Sequence, residues 1–329
     1  MIDYAQLNHY IGPETSGLSE PWKRVLGRLG DYTSLVVRAL NLRPTAVQII
    51  EQTSQHILVR ITTNGAYVVL RVAPEADLSA ALYFGRAMAG SSLPAAQIIQ
   101  HDLSKRMVPF AYTLEHYVCG VSAAQIGEPH ILRAAARQAG RTLRRMQRVS
   151  TPGWGCPGPF GRWTTASWNA VLRQLHASLA APPSDGLVFS PAQCQAIAAL
   201  PNDPRLACER PTLIHGRFSP AAVRCTPGTA VQIEAFIDPG AWVGGDGLLD
   251  LACGLDPSYP TAWREGLLEG YRSFGPLTAC EEQRLVLLRL LACAWSACQS
   301  YIHAEPHEAA RAGALALLEA SGLLVPAAV

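Results

Sequence analysis

The feature that most restricts how this chain can fold is a change of texture at Gly120. Before it, short runs of β-branched and aromatic residues alternate with turn chemistry. Val47-Gln48-Ile49-Ile50 opens the series, and the alternating His56-Ile57-Leu58-Val59-Arg60-Ile61 follows. Thr63-Asn64-Gly65 then supplies turn chemistry before Tyr67-Val68-Val69-Leu70-Arg71-Val72. Ala96-Gln97-Ile98-Ile99 and Tyr112-Thr113-Leu114-Glu115-His116-Tyr117 predict two more strands. One helix is expected among them, from Asp77 to Ala89, entered through a Pro74-Glu75-Ala76-Asp77 turn and stopped by Gly90 and Pro94.

Beyond Gly120 the spacing becomes helical. Ile131, Leu132, Ala135, Ala139, Leu143 and Met146 mark an amphipathic helix within Glu128 to Val149. Thr151 to Phe160 reads as a Pro/Gly loop, and Ser167 to Leu179 as another helix. Leu213-Ile214-His215-Gly216 is a short apolar strand ending in a turn. Residues 221–223 and 234–238 are extended pieces around Thr226-Pro227-Gly228. Helices resume at Leu248, with Cys280 to Ile302 as a long buried one. Upstream, Trp22, Val25, Leu26 and Leu29 line one helix face. The expected class is α+β and bilobal: a helical extension over 1–45, a small antiparallel-sheet lobe over 46–120, and a mostly helical lobe over 121–329.

Charge narrows the function. Twenty-seven basic against 25 acidic residues leave a net charge of +2, too balanced for a protein that coats phosphate backbones, so no nucleic-acid partner is expected. The most apolar stretch, Leu285 to Cys298, is broken by Arg289 and falls short of a membrane span of about 20 residues. Nine cysteines without a C-x-x-C pair predict reduced thiols and a cytoplasmic protein. Only Lys23 and Lys105 occur against 25 arginines, so any role open to lysine falls to arginine. Arg133, Arg137, Arg141, Arg144, Arg145 and Arg148 form a basic stripe at helical spacing. It reads as a solvated face or as a dock for an acidic partner. His303 and His307 stand four apart, but Pro306 breaks the helix that would present both to a metal.

The richest stretch is residues 213–252, LIHGRFSPAAVRCTPGTAVQIEAFIDPGAWVGGDGLLDLA. It resembles the aminoglycoside phosphotransferase/choline kinase family, relatives of protein kinases. In that family a loop reads H-G-D-x-x-x-x-N, a later strand ends in I-D, and a G-D-x-x-x-D-L-A segment follows. His215, Gly216, Pro220 and Val223 match the loop. Ile237-Asp238 matches the strand end, and Gly245 to Ala252 matches the last segment. Upstream, residues 67–72, Leu93-Pro94, residues 114–118 with Gly120, and residues 139–147 with Pro152-Gly153-Trp154-Gly155 match in order.

The resemblance implies a protein-kinase-like fold that binds ATP or GTP between its lobes. Arg71 would grip the phosphates, and Ser54 would lie in the loop that covers the nucleotide. Glu115, His116, Tyr117 and Val118 would form the hinge whose backbone meets the base. Asp238 would hold Mg2+, with a strand-end cap as the plainer alternative. Asp250 would anchor the loop. The acceptor would be a hydroxyl on a small molecule or peptide, with no membrane partner. Departures cluster in the loop: Arg217 stands at the family's proton-accepting Asp, Ala222 at its metal-binding Asn, and Ala81 near its helix Glu. Arg217 and His215 are the candidate catalytic residues, His215 also serving the loop's structure. Two functions follow: an atypical phosphotransferase without the usual base, or an inactive pseudokinase that engages a protein partner.

Overall fold

The protein, described by a computed structural model, is defined over residues 2–9, 19–53, 56–75, 77–158, 161–179, 188–228 and 230–323. It divides into two compact units, 1–86 with 96–118 and 87–95 with 119–329.

Unit 1 begins with helices α1 (Glu20–Leu26) and α2 (Leu29–Ala39). Strands β1 (Pro44–Gln52), β2 (Ile57–Thr63) and β3 (Ala66–Ala73) follow, then helix α3 (Ser79–Gly90), whose last turn belongs to unit 2. Strands β4 (Ile98–Asp102) and β5 (Ala111–His116) complete a sheet of order β1-β2-β3-β5-β4, antiparallel throughout. The β2–β3 hairpin closes through Asn64-Gly65, with Gly65 at φ +106 as a tight two-residue turn requires. Ser19 caps α1 by accepting from the Trp22 amide, and Pro21 sits in its first turn. Helices α1 and α2, within the expected helical extension, pack against the sheet. Trp22, Val25, Leu26, Leu29, Val36 and Val37 are buried in one core with Val47, Val59, Leu70, Val72 and Leu114 of the sheet. A period-3.6 face has found a period-2 face.

Unit 2 opens with β6 (Val121–Ser122) and α4 (Pro129–Met146). Strand β7 (Trp154–Pro157) occupies ground expected to be a loop, and β8 (Trp163–Thr165) follows it. Helices α5 (Trp168–Leu179) and α6 (Pro191–Ala199) lead to β9 (Thr212–Leu213), β10 (Val223–Thr226), β11 (Gln232–Phe236) and β12 (Gly244–Gly245). Helices α7 (Leu248–Gly254), α8 (Thr261–Arg272), α9 (Ala279–Ile302) and α10 (Glu308–Ala320) finish the chain. Two small sheets, β11-β10-β6 and β8-β7-β12-β9, carry the loops of interest. Residues 220–222, expected partly extended, form a short 3-10 turn behind Pro220.

The basic stripe on α4 meets its acidic partner inside unit 2. Arg133 pairs with Glu265 and Glu269, and Arg137 with Glu269, all on α8. Arg144 lies over the Tyr271 ring, 5.0 Å from its centroid. The two helices approach closely because Gly140, Gly266 and Gly270 face backbone carbonyls that any side chain would strike. Helix α9, as a whole, is long and apolar enough by length and composition to cross a membrane; 61% of its most apolar window is buried inside the protein. Leu287, Leu288, Leu290, Leu291 and Trp295 are among its buried residues. Pro306 falls between α9 and α10, so His303 and His307 share no helix.

Candidate functional site

The loop after β9 is built around a fully buried carboxylate. Asp250, in the first turn of α7, accepts from the backbone N–H of His215 at 2.6 Å and of Gly216 at 2.9 Å. Burial pushes its pKa up to about 7, against the pull of those two N–H groups. His215 is fully buried too, its ring set edge-on against Phe218 and Phe236. Its Nε2–H donates to the Ile237 carbonyl at 2.8 Å. Desolvation drives its pKa down to about 4, so the ring is neutral near pH 7. His215 therefore ties the loop to the end of β11, a structural task.

A second set of backbone bonds locks the same two segments together. The Gly240 N–H donates to the His215 carbonyl at 2.8 Å, the Ile214 N–H to Val243 at 3.0 Å, and the Ile237 N–H to Ala222 at 2.9 Å. Gly216 takes φ +73, and a Cβ there would strike the Trp242 carbonyl. Asp238 follows Ile237 with φ +56, a left-handed backbone uncommon outside glycine. Its half-buried carboxylate stands at a strand end whose neighbours are clamped. Arg217 is exposed, and its guanidinium has no hydrogen-bond or ion-pair partner among the described residues. Ala222 is buried and offers no metal ligand.

Beneath α7 lies a further ion pair that the sequence did not suggest. Asp246 is nearly buried, and its carboxylate meets the Arg284 Nε of α9 at 2.6 Å. Asp246 also accepts from the Leu248 N–H at 3.0 Å, capping the turn that presents Asp250. Burial raises its pKa, against the opposing charge of Arg284.

In unit 1 the expected nucleotide residues divide. Arg71 is buried, and its Nε donates to Glu115 Oε1 at 3.2 Å. Glu115, placed by sequence in the hinge, is thus the acid beside Arg71, a role looked for on α3, where Ala81 stands. The amides of His116 and Tyr117 are engaged by the carbonyls of Gln97 (2.9 Å) and Tyr67 (3.1 Å). Neither N–H points to an open donor position for a base, while Val118 closes unit 1. Ser54 lies outside the described residues. Of the described residues beside it, Thr53 donates its N–H to the His56 carbonyl at 2.9 Å.

Comparison with known proteins bears on the family and the fold. A model of the phosphotransferase enzyme family matches residues 46–281. A thermostable mutant of aminoglycoside phosphotransferase APH(4)-Ia, solved with ADP and hygromycin B, is 17% identical with a TM-score of 0.65, over 89% of this chain and 99% of that one. A putative fructosamine-3-kinase from Haemophilus somnus 129PT is 12% identical with a TM-score of 0.57, over 89% and 96%. The GDP and kanamycin complex of APH(2")-IIia is 13% identical with a TM-score of 0.56, over 89% and 98%. At such identities the likeness is one of fold, and the α+β, protein-kinase-like architecture expected from the sequence is the one found. No curated protein sequence matches the chain.

Proposed function

Because this chain belongs to the phosphotransferase enzyme family, we propose that it transfers the γ-phosphoryl group of ATP or GTP to a hydroxyl of a small molecule. The observation that carries this is the clamped loop of unit 2. Asp250 holds the His215 and Gly216 amides, and His215 in turn holds the strand end that bears Asp238. That clamp fixes the backbone that carries Asp238, and phosphoryl transfer depends on such positioning. Structural relatives solved with ADP and hygromycin B or with GDP and kanamycin support a nucleotide and a polyhydroxylated acceptor.

The donor set suits one hard cation. Asp238 would hold a single Mg2+, the remaining oxygens coming from water and phosphate, as this ion is commonly bound. When bound, it would neutralise phosphate charge. Ala222 supplies no second ligand. The chain's own residues must do the rest by position and charge, which dominate phosphoryl transfer. Arg71 would hold phosphate from unit 1. Arg217, with a planar fork of donors, would hold the transferring phosphate or an anionic acceptor, where the family's Asp would take a proton. Without that base, a loss on the order of 10²–10⁴-fold in rate is expected relative to family members that have one. The nine cysteines are free thiols, in keeping with a cytoplasmic setting.

One observation favours the second reading, a pseudokinase that serves a partner protein: exposed Arg217 and buried Ala222 both depart from the loop pattern. Transfer of radiolabelled γ-phosphate to hygromycin B, kanamycin and simpler polyols separates the two. An active enzyme should lose turnover by about 10²-fold or more on Arg217→Ala, since an arginine on transferring phosphate contributes heavily. Wild-type activity untouched by Arg217→Ala would remove Arg217 from the chemistry. If no acceptor is labelled, and Arg217→Asp with Ala222→Asn creates ATP hydrolysis, the protein is a pseudokinase.

A further inference from the structure

Three buried polar side chains lie together on the sheet of unit 1. Arg71 lies on β3, and Thr113 and Glu115 lie on β5; the register sets Arg71 opposite Thr113 and Val69 opposite Glu115. Alternation along each strand puts all three on one face. It is the face turned from α1 and α2, whose core contacts are the interleaved Val68, Leu70, Val72, Tyr112 and Leu114. Arg71 Nε donates to Glu115 Oε1 at 3.2 Å, and the Thr113 hydroxyl donates to the same oxygen at 2.5 Å. Thr113 is fully buried, and the ion-paired side chains are only 10% and 11% exposed.

Net stability does not explain such a triad. Removing two charges from water costs about as much as their attraction returns, and an apolar pair of similar volume serves a sheet as well. What the triad supplies is direction. A guanidinium held at Nε by a carboxylate has its plane fixed, and Thr113 in turn fixes the carboxylate. The neighbouring helix offers no substitute, because α3 reads SAALYFGRAMAG and carries no acid. We propose that Glu115, oriented by Thr113, is a positioning residue that sets the Arg71 guanidinium for the phosphates of a nucleoside di- or triphosphate. The nucleotide itself rests on the proposed function above. An anchor carried by the sheet, rather than by a helix, would hold Arg71 in place whatever the attitude of α3.

Calorimetric titration with ATP and with adenosine tests this in the intact chain, because adenosine lacks the phosphates. Glu115→Gln should weaken ATP by roughly tenfold or more, the scale of a lost charge-assisted bond, and leave adenosine unchanged. Thr113→Val should show the same ATP-selective loss, smaller in size, and serves alone if Glu115→Gln does not fold. Equal weakening of ATP and adenosine would make the triad a structural prop and overturn the proposal, as would wild-type ATP affinity in both variants. If Arg71→Met weakens ATP while those two do not, nucleotide binding stands and only the positioning role falls. Wild-type protein that binds neither ligand would overturn the nucleotide reading, and this proposal with it.

Discussion

Replacing Gly216 by alanine tests whether the loop of unit 2 is as tightly clamped as its bonds imply. The residue sits at φ +73, where an L side chain costs roughly 1–2 kcal/mol. Its new Cβ would fall on the Trp242 carbonyl oxygen, a backbone atom that cannot rotate away. Either segment must retreat, and the bond that gives first is Gly216 N–H to Asp250, 2.9 Å long and charge-assisted. Losing it costs about 1.5–3 kcal/mol more, so the variant should be less stable by roughly 2.5–5 kcal/mol. For a unit of this size about 2–4 °C is lost per kcal/mol, so the melting temperature should fall by roughly 5–20 °C in scanning calorimetry. Gly65→Ala is the control. It has a similar left-handed backbone, φ +106, with nothing within 4 Å of the added carbon, so only the strain should appear. Equal, small losses at both positions would refute the clamp.

Two further outcomes follow from the same packing and charges. Gly270→Ala should push α8 away from the Arg137 carbonyl on α4 and cost about 1–3 kcal/mol of overpacking, read as a lower denaturant midpoint; an unchanged midpoint would mean the helices separate freely. Burial holds His215 near 4, below its free value of 6.5, so its contribution is full above pH 6.5 and is lost as pH falls through 4. Asp250 has the opposite sign: raised by burial from 3.8 to about 7, it contributes fully below pH 3.8 and loses that as pH rises through 7. His215→Asn should flatten the acid limb of a stability–pH profile and Asp250→Asn the other; slopes unmoved by both would place the titration elsewhere.

The sheet of unit 1 was readable because alternation and an Asn-Gly turn are local signals. Its five strands and single helix fall within a few residues of their expected places. The helical face of Trp22, Val25 and Leu26 was equally plain, but its partner was not, since only the folded chain brings it against Val47 and Leu70. Residues 154–157 read as loop because prolines and glycines surround them; pairing with β8 and β12 makes them a strand. The stripe on α4 showed its charge but not that Glu265 and Glu269, over a hundred residues on, would pair with Arg133 and Arg137. In unit 2, His215, Asp238 and Asp250 were legible from motif spacing. Glu115 was read with the hinge because in sequence it runs into His116 and Tyr117, and only the β3–β5 register brings it to Arg71. Arg284 gave no signal at all, since its partner Asp246 lies on another helix boundary 38 positions earlier.

The most direct test of the central claim, that this is a nucleotide-using phosphotransferase, is the thermal stability of the full chain with ATP or GTP, with and without magnesium. A ligand that binds only the native state at about 100 times its Kd adds about 2.7 kcal/mol. Magnesium with nucleotide should therefore raise the melting temperature clearly, and Asp238→Ala should abolish the magnesium-dependent part while leaving the protein folded. A melting curve that no nucleotide moves at millimolar concentration, with or without the metal, would contradict the claim.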